Sequence, residues 1–136
     1  MKSKLLAARH PLLFLRVLRL CLKIERSLRG RELMELVREA AFMPAARARR
    51  MSDKELEAAL VFCGQIGRRL LKRPCCQRTT LVLYSLAPEG AVFKLGVRTD
   101  GGVMDAHAWI EFEGAAFSEP VEVANYSELA EFRKPL

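Results

Sequence analysis

Residues 91–114 read AVFKLGVRTDGGVMDAHAWIEFEG, and this stretch decides how the chain is to be folded. From Ala91 to Arg98 apolar and polar residues alternate. Ala91, Phe93, Leu95 and Val97 face one way, and Val92, Lys94 and Arg98 the other. Strict alternation is the period of a half-buried strand. Thr99-Asp100-Gly101-Gly102 follows, a hairpin turn by composition. Alternation then resumes, with Ala106, Ala108, Ile110 and Phe112 on one face and His107, Trp109, Glu111 and Glu113 on the other. Gly114 turns the chain again, and Phe117 to Val123 is expected as a third strand.

Upstream of this hairpin the period is helical. Pro11 suits a first helical turn. The run from Leu12 to Leu22 is too rich in leucine for a helix solvated all round, and Gly30 ends it. Leu33, Leu36, Val37, Ala40 and Ala41 recur at helical spacing until Pro44. Ala45 to Met51 is a basic connector. Ser52-Asp53-Lys54-Glu55 forms a capping box. Leu56, Ala59, Leu60, Cys63, Ile66, Gly67 and Leu70 mark one face of a helix near 53–72. Arg73-Pro74 breaks it. Thr79 to Leu86 fits helix or strand on local signal, because Thr, Val and Tyr favour strand. Pro88-Glu89-Gly90 is a turn. The fold expected from these patterns is α+β: a helical N-terminal half followed by a small antiparallel sheet.

Composition narrows the function. The chain has 136 residues, 51% hydrophobic and 29% charged, enough for one domain with a real core. The net charge of +7 is uneven. Residues 1–74 carry 18 Lys+Arg against 7 Asp+Glu, and residues 75–136 carry 5 against 9. The most apolar run, Pro11 to Ile24, is broken by Arg16, Arg19 and Lys23, too short and too charged to span a bilayer. No small-residue cleavage site follows Lys2, Lys4 and Arg9, so a secretory signal is not expected. The four cysteines, at 21, 63, 75 and 76, match no disulfide scaffold and contain no C-x-x-C pair. A cytoplasmic protein is expected. With two histidines a zinc site is not expected.

The basic front half could bind nucleic acid, an acidic peptide or a membrane surface. The preferred reading for most of its charges is a solvated helical face. Aromatic interleaving is sparse, so nucleic acid is not expected as a partner. Membrane-surface contact is likewise not the expected reading.

The residues able to do chemistry lie in the back half. Cys75 and Cys76 follow a proline break at the start of a potential helix. There, unpaired N–H groups, the helix dipole, Arg73 and Arg78 would favour a thiolate. The plain alternative is two small hydrophobes filling space. His107, between two alanines on a strand, could take the thiol proton. An acid would then hold the other ring nitrogen, and Glu119, Asp105, Glu111 and Glu113 are the nearby carboxylates. Trp109 would wall such a site or belong to the core.

Cys-Cys-Gln-Arg-Thr-Thr-Leu-Val-Leu-Tyr (75–84), Leu-Gly-Val-Arg (95–98) and His-Ala-Trp-Ile-Glu (107–111) with Gly114 together resemble the lasso-peptide leader peptidases. These belong to the transglutaminase-like, papain-like cysteine protease superfamily. The resemblance covers about residues 70–132, and the helical front is similar to stand-alone members. It implies a transglutaminase-like core in residues 51–136, its nucleophile helix packed on the small antiparallel sheet and no metal or organic cofactor needed, behind a basic helical region in residues 1–50. The nucleophile falls on Cys75 or Cys76. Arg78 and Gly90 favour Cys75; Leu81, Leu83 and Tyr84 favour Cys76; the resemblance leans narrowly to Cys75. The base falls on His107. The acid falls on Glu119, where the family carries aspartate. Such enzymes cut the leader from a ribosomally made precursor. The precursor would be the substrate, a separate leader-recognition protein a partner, and the macrolactam cyclase a further one. Two alternatives remain, a non-catalytic peptide-binding module and an acyl transferase of the same fold.

Overall fold

The computed structural model describes residues 7–42, 51–73, 75–117 and 126–134. Helix α1 spans Pro11–Leu28, with Pro11 in its first turn where its missing N–H costs nothing. It buries Val17, Cys21 and Ile24 at helical spacing. Helix α2 is Leu33–Phe42. Helix α3, Asp53–Gln65, begins at the expected capping box: Ser52 Oγ accepts from the Glu55 N–H, and Glu55 reaches back to the Ser52 N–H at 3.3 Å. The helix expected to run evenly to 72 instead widens into a π-helical turn at Ile66–Leu70. Pro44 and Pro74 lie outside the described residues.

Helix α4, Cys76–Leu86, resolves the ambiguous stretch. Its Thr, Val and Tyr residues favour strand locally, but Leu81, Val82, Leu83 and Tyr84 are all buried in succession. The segment is wrapped on every side, by α1, α2, α3 and the sheet. Tertiary burial overrides the local preference.

The sheet has the order β3-β2-β1-β4 and is antiparallel throughout. Strands β1, Val92–Asp100, and β2, Val103–Phe112, pair from Val92↔Glu111 to Asp100↔Val103. The loop between them is therefore Gly101-Gly102, both at positive φ, as a two-residue hairpin turn requires. Strand β3 is only Ala115–Ala116. The third strand expected over 117–123 is thus met by two residues just before it; Phe117 is in a bend, and 118–123 lie outside the described residues. Strand β4, Ser127–Arg133, was not expected and forms the far edge on β1.

One apolar core runs through helices α1 to α4 and the sheet, from Val17, Val37 and Phe62 to Leu81, Phe93 and Ile110. Phe14 of α1 meets Phe62 of α3 edge to face at 5.2 Å. The chain is thus mixed helix and sheet, with α4 packed on a small antiparallel sheet. No described helix is long and apolar enough to cross a membrane.

Candidate active site

The two adjacent cysteines do different work. Cys75 is the N-cap of α4, in extended conformation, and its sulfur accepts from the Arg78 N–H at 3.4 Å. Cys76 is the first residue inside the helix. Its Sγ lies 3.5 Å from His107 Nδ1 and 3.5 Å from the carbonyl oxygen of Ala108. A cap side chain folds over its own helix turn to meet a backbone N–H, whereas the next side chain projects away. Cys76, one register step from Cys75, to which the resemblance narrowly leans, is therefore the cysteine that meets the histidine.

Thr80 holds this contact. Its Oγ1 is 2.8 Å from the Cys76 carbonyl, one turn back, and 3.2 Å from the Ala108 carbonyl on β2. One hydroxyl proton is shared between the helix start and the strand carrying His107. The positive end of the α4 dipole lies at Cys76 and favours negative charge on sulfur. Arg78, expected to add to that effect, does not face the thiol. It is 1% exposed, and its guanidinium binds Glu25 of α1 at 2.6 Å and the Arg73 carbonyl. Its charge is neutralised by Glu25, whose carboxyl the same hydrogen bond holds below the usual carboxylate range.

His107 sits among aromatic rings. Trp109, two residues along the same strand face, stacks on it with centroids 6.0 Å apart, and Tyr126, just before β4, lies 5.4 Å away. Trp109 is both wall and core, being 5% exposed, and its indole N–H donates to Glu111 at 3.0 Å. Glu111 also pairs with Lys94 at 3.2 Å. Tyr126 donates to Asp105 at 2.8 Å, which holds the phenol above its ordinary range, and Arg98 lies over the Tyr126 ring. Of the nearby carboxylates, Glu111 and Asp105 thus serve the rings beside His107. Glu113 is exposed in the β2–β3 turn. Glu119 lies outside the described residues.

Gly96 makes room for this cluster. It pairs with His107 across β1 and β2, and a Cβ there would lie 2.9 Å from the Tyr126 Cβ and 3.0 Å from Trp109 Cη2. The β1–β4 register shifts at this same point, so Leu129 bulges from β4. A lone glycine inside an alternating strand signals such a close approach, so the sequence held the clue. Tyr126, Thr80 and Glu25 had no comparable signal, because each acts through a contact distant in sequence.

Cys21 and Cys63 are buried, with sulfurs 4.0 Å apart and unbridged. Hydrogen bonding to Cys21, and then burial, push the Cys63 thiol up, so it stays protonated. Among the described residues no group of three or more His, Cys, Asp or Glu is placed to hold a metal.

A helix-start cysteine against a strand histidine is the arrangement of a papain-like thiol site, and the comparison with known families agrees at that level. A family model described as transglutaminase-like superfamily matches residues 18–131. The chain belongs to this superfamily, whose fold is compatible with cysteine peptidase or acyl transferase activity. The match begins within α1 and ends in β4, so it takes in the helical front as well as the site. No curated protein and no solved structure matches the chain.

Proposed function

We propose that the chain is a cytoplasmic cysteine peptidase that removes the leader from a ribosomally made lasso-peptide precursor, acting with a separate leader-recognition protein. The observation that carries the peptidase chemistry is the 3.5 Å approach of Cys76 Sγ to His107 Nδ1 at the start of α4. The His-Ala-Trp-Ile-Glu motif at 107–111 supports the step from superfamily to leader removal.

In this mechanism the Cys76 thiol passes its proton to Nδ1. The thiolate attacks the scissile carbonyl carbon, and the C=O electron pair collects on oxygen near the positive end of α4. Collapse breaks the C–N bond, and the leaving amine takes the proton from Nδ1. A thioester remains on Cys76. His107 then removes a proton from water, hydroxide attacks the thioester, and the thiol returns. Glu119 is assigned the third role, holding the other ring nitrogen. The freed core N-terminus becomes available to the cyclase.

The test begins with the thiols. Limiting alkylation at mildly acid pH, read by mass spectrometry, is expected to label Cys76 well ahead of the other three. That selectivity should vanish in His107→Ala. Equal labelling of Cys75 and Cys76, indifferent to His107→Ala, would remove the activated pair and leave the peptide-binding module. With precursor and recognition protein present, His107→Ala should slow cleavage about a hundred- to ten-thousandfold. Transfer of the acyl group to an added amine, with no hydrolysis, would move the reading to acyl transferase.

A further inference from the structure

The inner side of α1 is sealed into the core, but its outer side is unusual for a helix of a water-soluble domain. Leu12, Leu15 and Leu22 are 81%, 53% and 48% exposed. Around them Arg16, Arg19, Lys23, Arg26 and the C-cap Arg29 are also exposed. At 100° per residue these eight positions fall on one continuous face. The one carboxylate of the helix, Glu25, is turned inward onto Arg78. None of the five cations takes part in a salt bridge among the described residues.

We infer that this face docks the protein on an anionic lipid bilayer. The surface is the outer side of an 18-residue helix, about 27 Å long. A bilayer interface answers all its chemistry at once: leucine side chains enter the acyl boundary, while arginine and lysine stems lie along it and their heads meet phosphate. An acidic protein partner would answer the charges but would need a groove shaped to three leucines spread over ten residues. Attachment would be peripheral and reversible, because no described helix crosses a membrane. The Glu25–Arg78 bond ties α1 to the helix that starts at Cys76, so docking would also set the orientation of the thiol site.

The experiment is flotation of the full chain with vesicles of phosphatidylcholine alone, or with about one-third phosphatidylglycerol, in about 0.1 M salt. Anionic vesicles are expected to carry at least about ten times more protein than neutral ones. A variant with Leu12→Gln, Leu15→Gln and Leu22→Gln keeps its net charge and should lose about tenfold in binding. The pair Arg19→Gln and Arg26→Gln should lose a similar factor. Far-UV circular dichroism checks the fold of both. On the unaltered chain, hydrogen exchange should slow over residues 12–26 when vesicles are added. No flotation with anionic vesicles would overturn the proposal. So would flotation that the leucine variant retains, which is charge attraction alone. Capture by soluble polyglutamate with vesicles ignored would overturn it in favour of an acidic protein partner. Thiol alkylation needs no lipid, so none of these failures touches the peptidase proposal.

Discussion

At Cys75 and Cys76 a single residue of register separates a helix cap from a thiol facing an imidazole. Cys75→Ser keeps an acceptor for the Arg78 N–H, so Cys76 alkylation should stay within about threefold of the parent, and Cys75→Ala should cost about 1 kcal/mol on chemical denaturation. Cys76→Ser should abolish the fast-labelling thiol while leaving the fold intact. Gly96 is the other position where one atom matters. Gly96→Ala would press a methyl into Tyr126 and Trp109, with an expected loss of about 1–3 kcal/mol and slower Cys76 alkylation, because the rings that hold His107 must move. Tyr126→Phe keeps the ring and loses only the Asp105 bond, so Cys76 alkylation should stay close to the parent; alkylation as slow as in Gly96→Ala would show that the bond, not the ring, positions His107.

Helix α4 is held at both ends, which adds to the burial that keeps a segment of strand-forming residues helical. Its start is capped by Cys75 and pinned to β2 by Thr80. At its far end the Lys134 ammonium, 2% exposed, donates to the carbonyl oxygens of Tyr84, Ser85 and Ala87 at 2.9–3.1 Å. A cation at the C-terminal end complements the helix dipole and satisfies orphan carbonyls. Burial draws the Lys134 ammonium below its ordinary range. Lys134→Met should cost about 1–3 kcal/mol in urea unfolding by leaving those carbonyls buried without a donor. A variant as stable as the parent would mean that water replaces the ammonium. Local pattern found α3 and the β1–β2 hairpin because capping boxes and alternation are written in adjacent residues. It missed β4, whose Ser127–Arg133 run has an exposed Leu129 at a bulge that breaks alternation.

Across the whole molecule a partly buried ion pair, Glu25 with Arg78, joins the basic front to the site-bearing back, their side chains 12% and 1% exposed. Removing Arg78 leaves Glu25 without its partner and the Arg73 carbonyl without its donor, so Arg78→Met should cost about 1–3 kcal/mol. The pair also sets an acid limit. The Glu25 carboxyl titrates below its unfolded value, so its contribution is present above the unfolded pKa of about 4.3 and is lost as pH falls through the lower folded value. Urea midpoints of the parent should fall with pH in that acid window, and Glu25→Gln should flatten the slope there. An unchanged slope would place the acid sensitivity elsewhere.

Patterns written in neighbouring residues were legible without coordinates: the α+β class, the capping box, the Gly-Gly hairpin, and the short list from which a thiol and an imidazole would come. Each depends on periods of two or 3.6 residues, or on turn chemistry, which act over a few positions. Three matters lay beyond that range. The state of 79–86 was decided by burial on all sides. The choice between Cys75 and Cys76 was decided by which side chain the helix start projects toward β2. The roles of Glu25, Tyr126 and Lys134 were decided by partners 53, 21 and 47–50 residues away. Such contacts leave no periodic trace, because their energy depends on packing that exists only once helices and sheet are assembled.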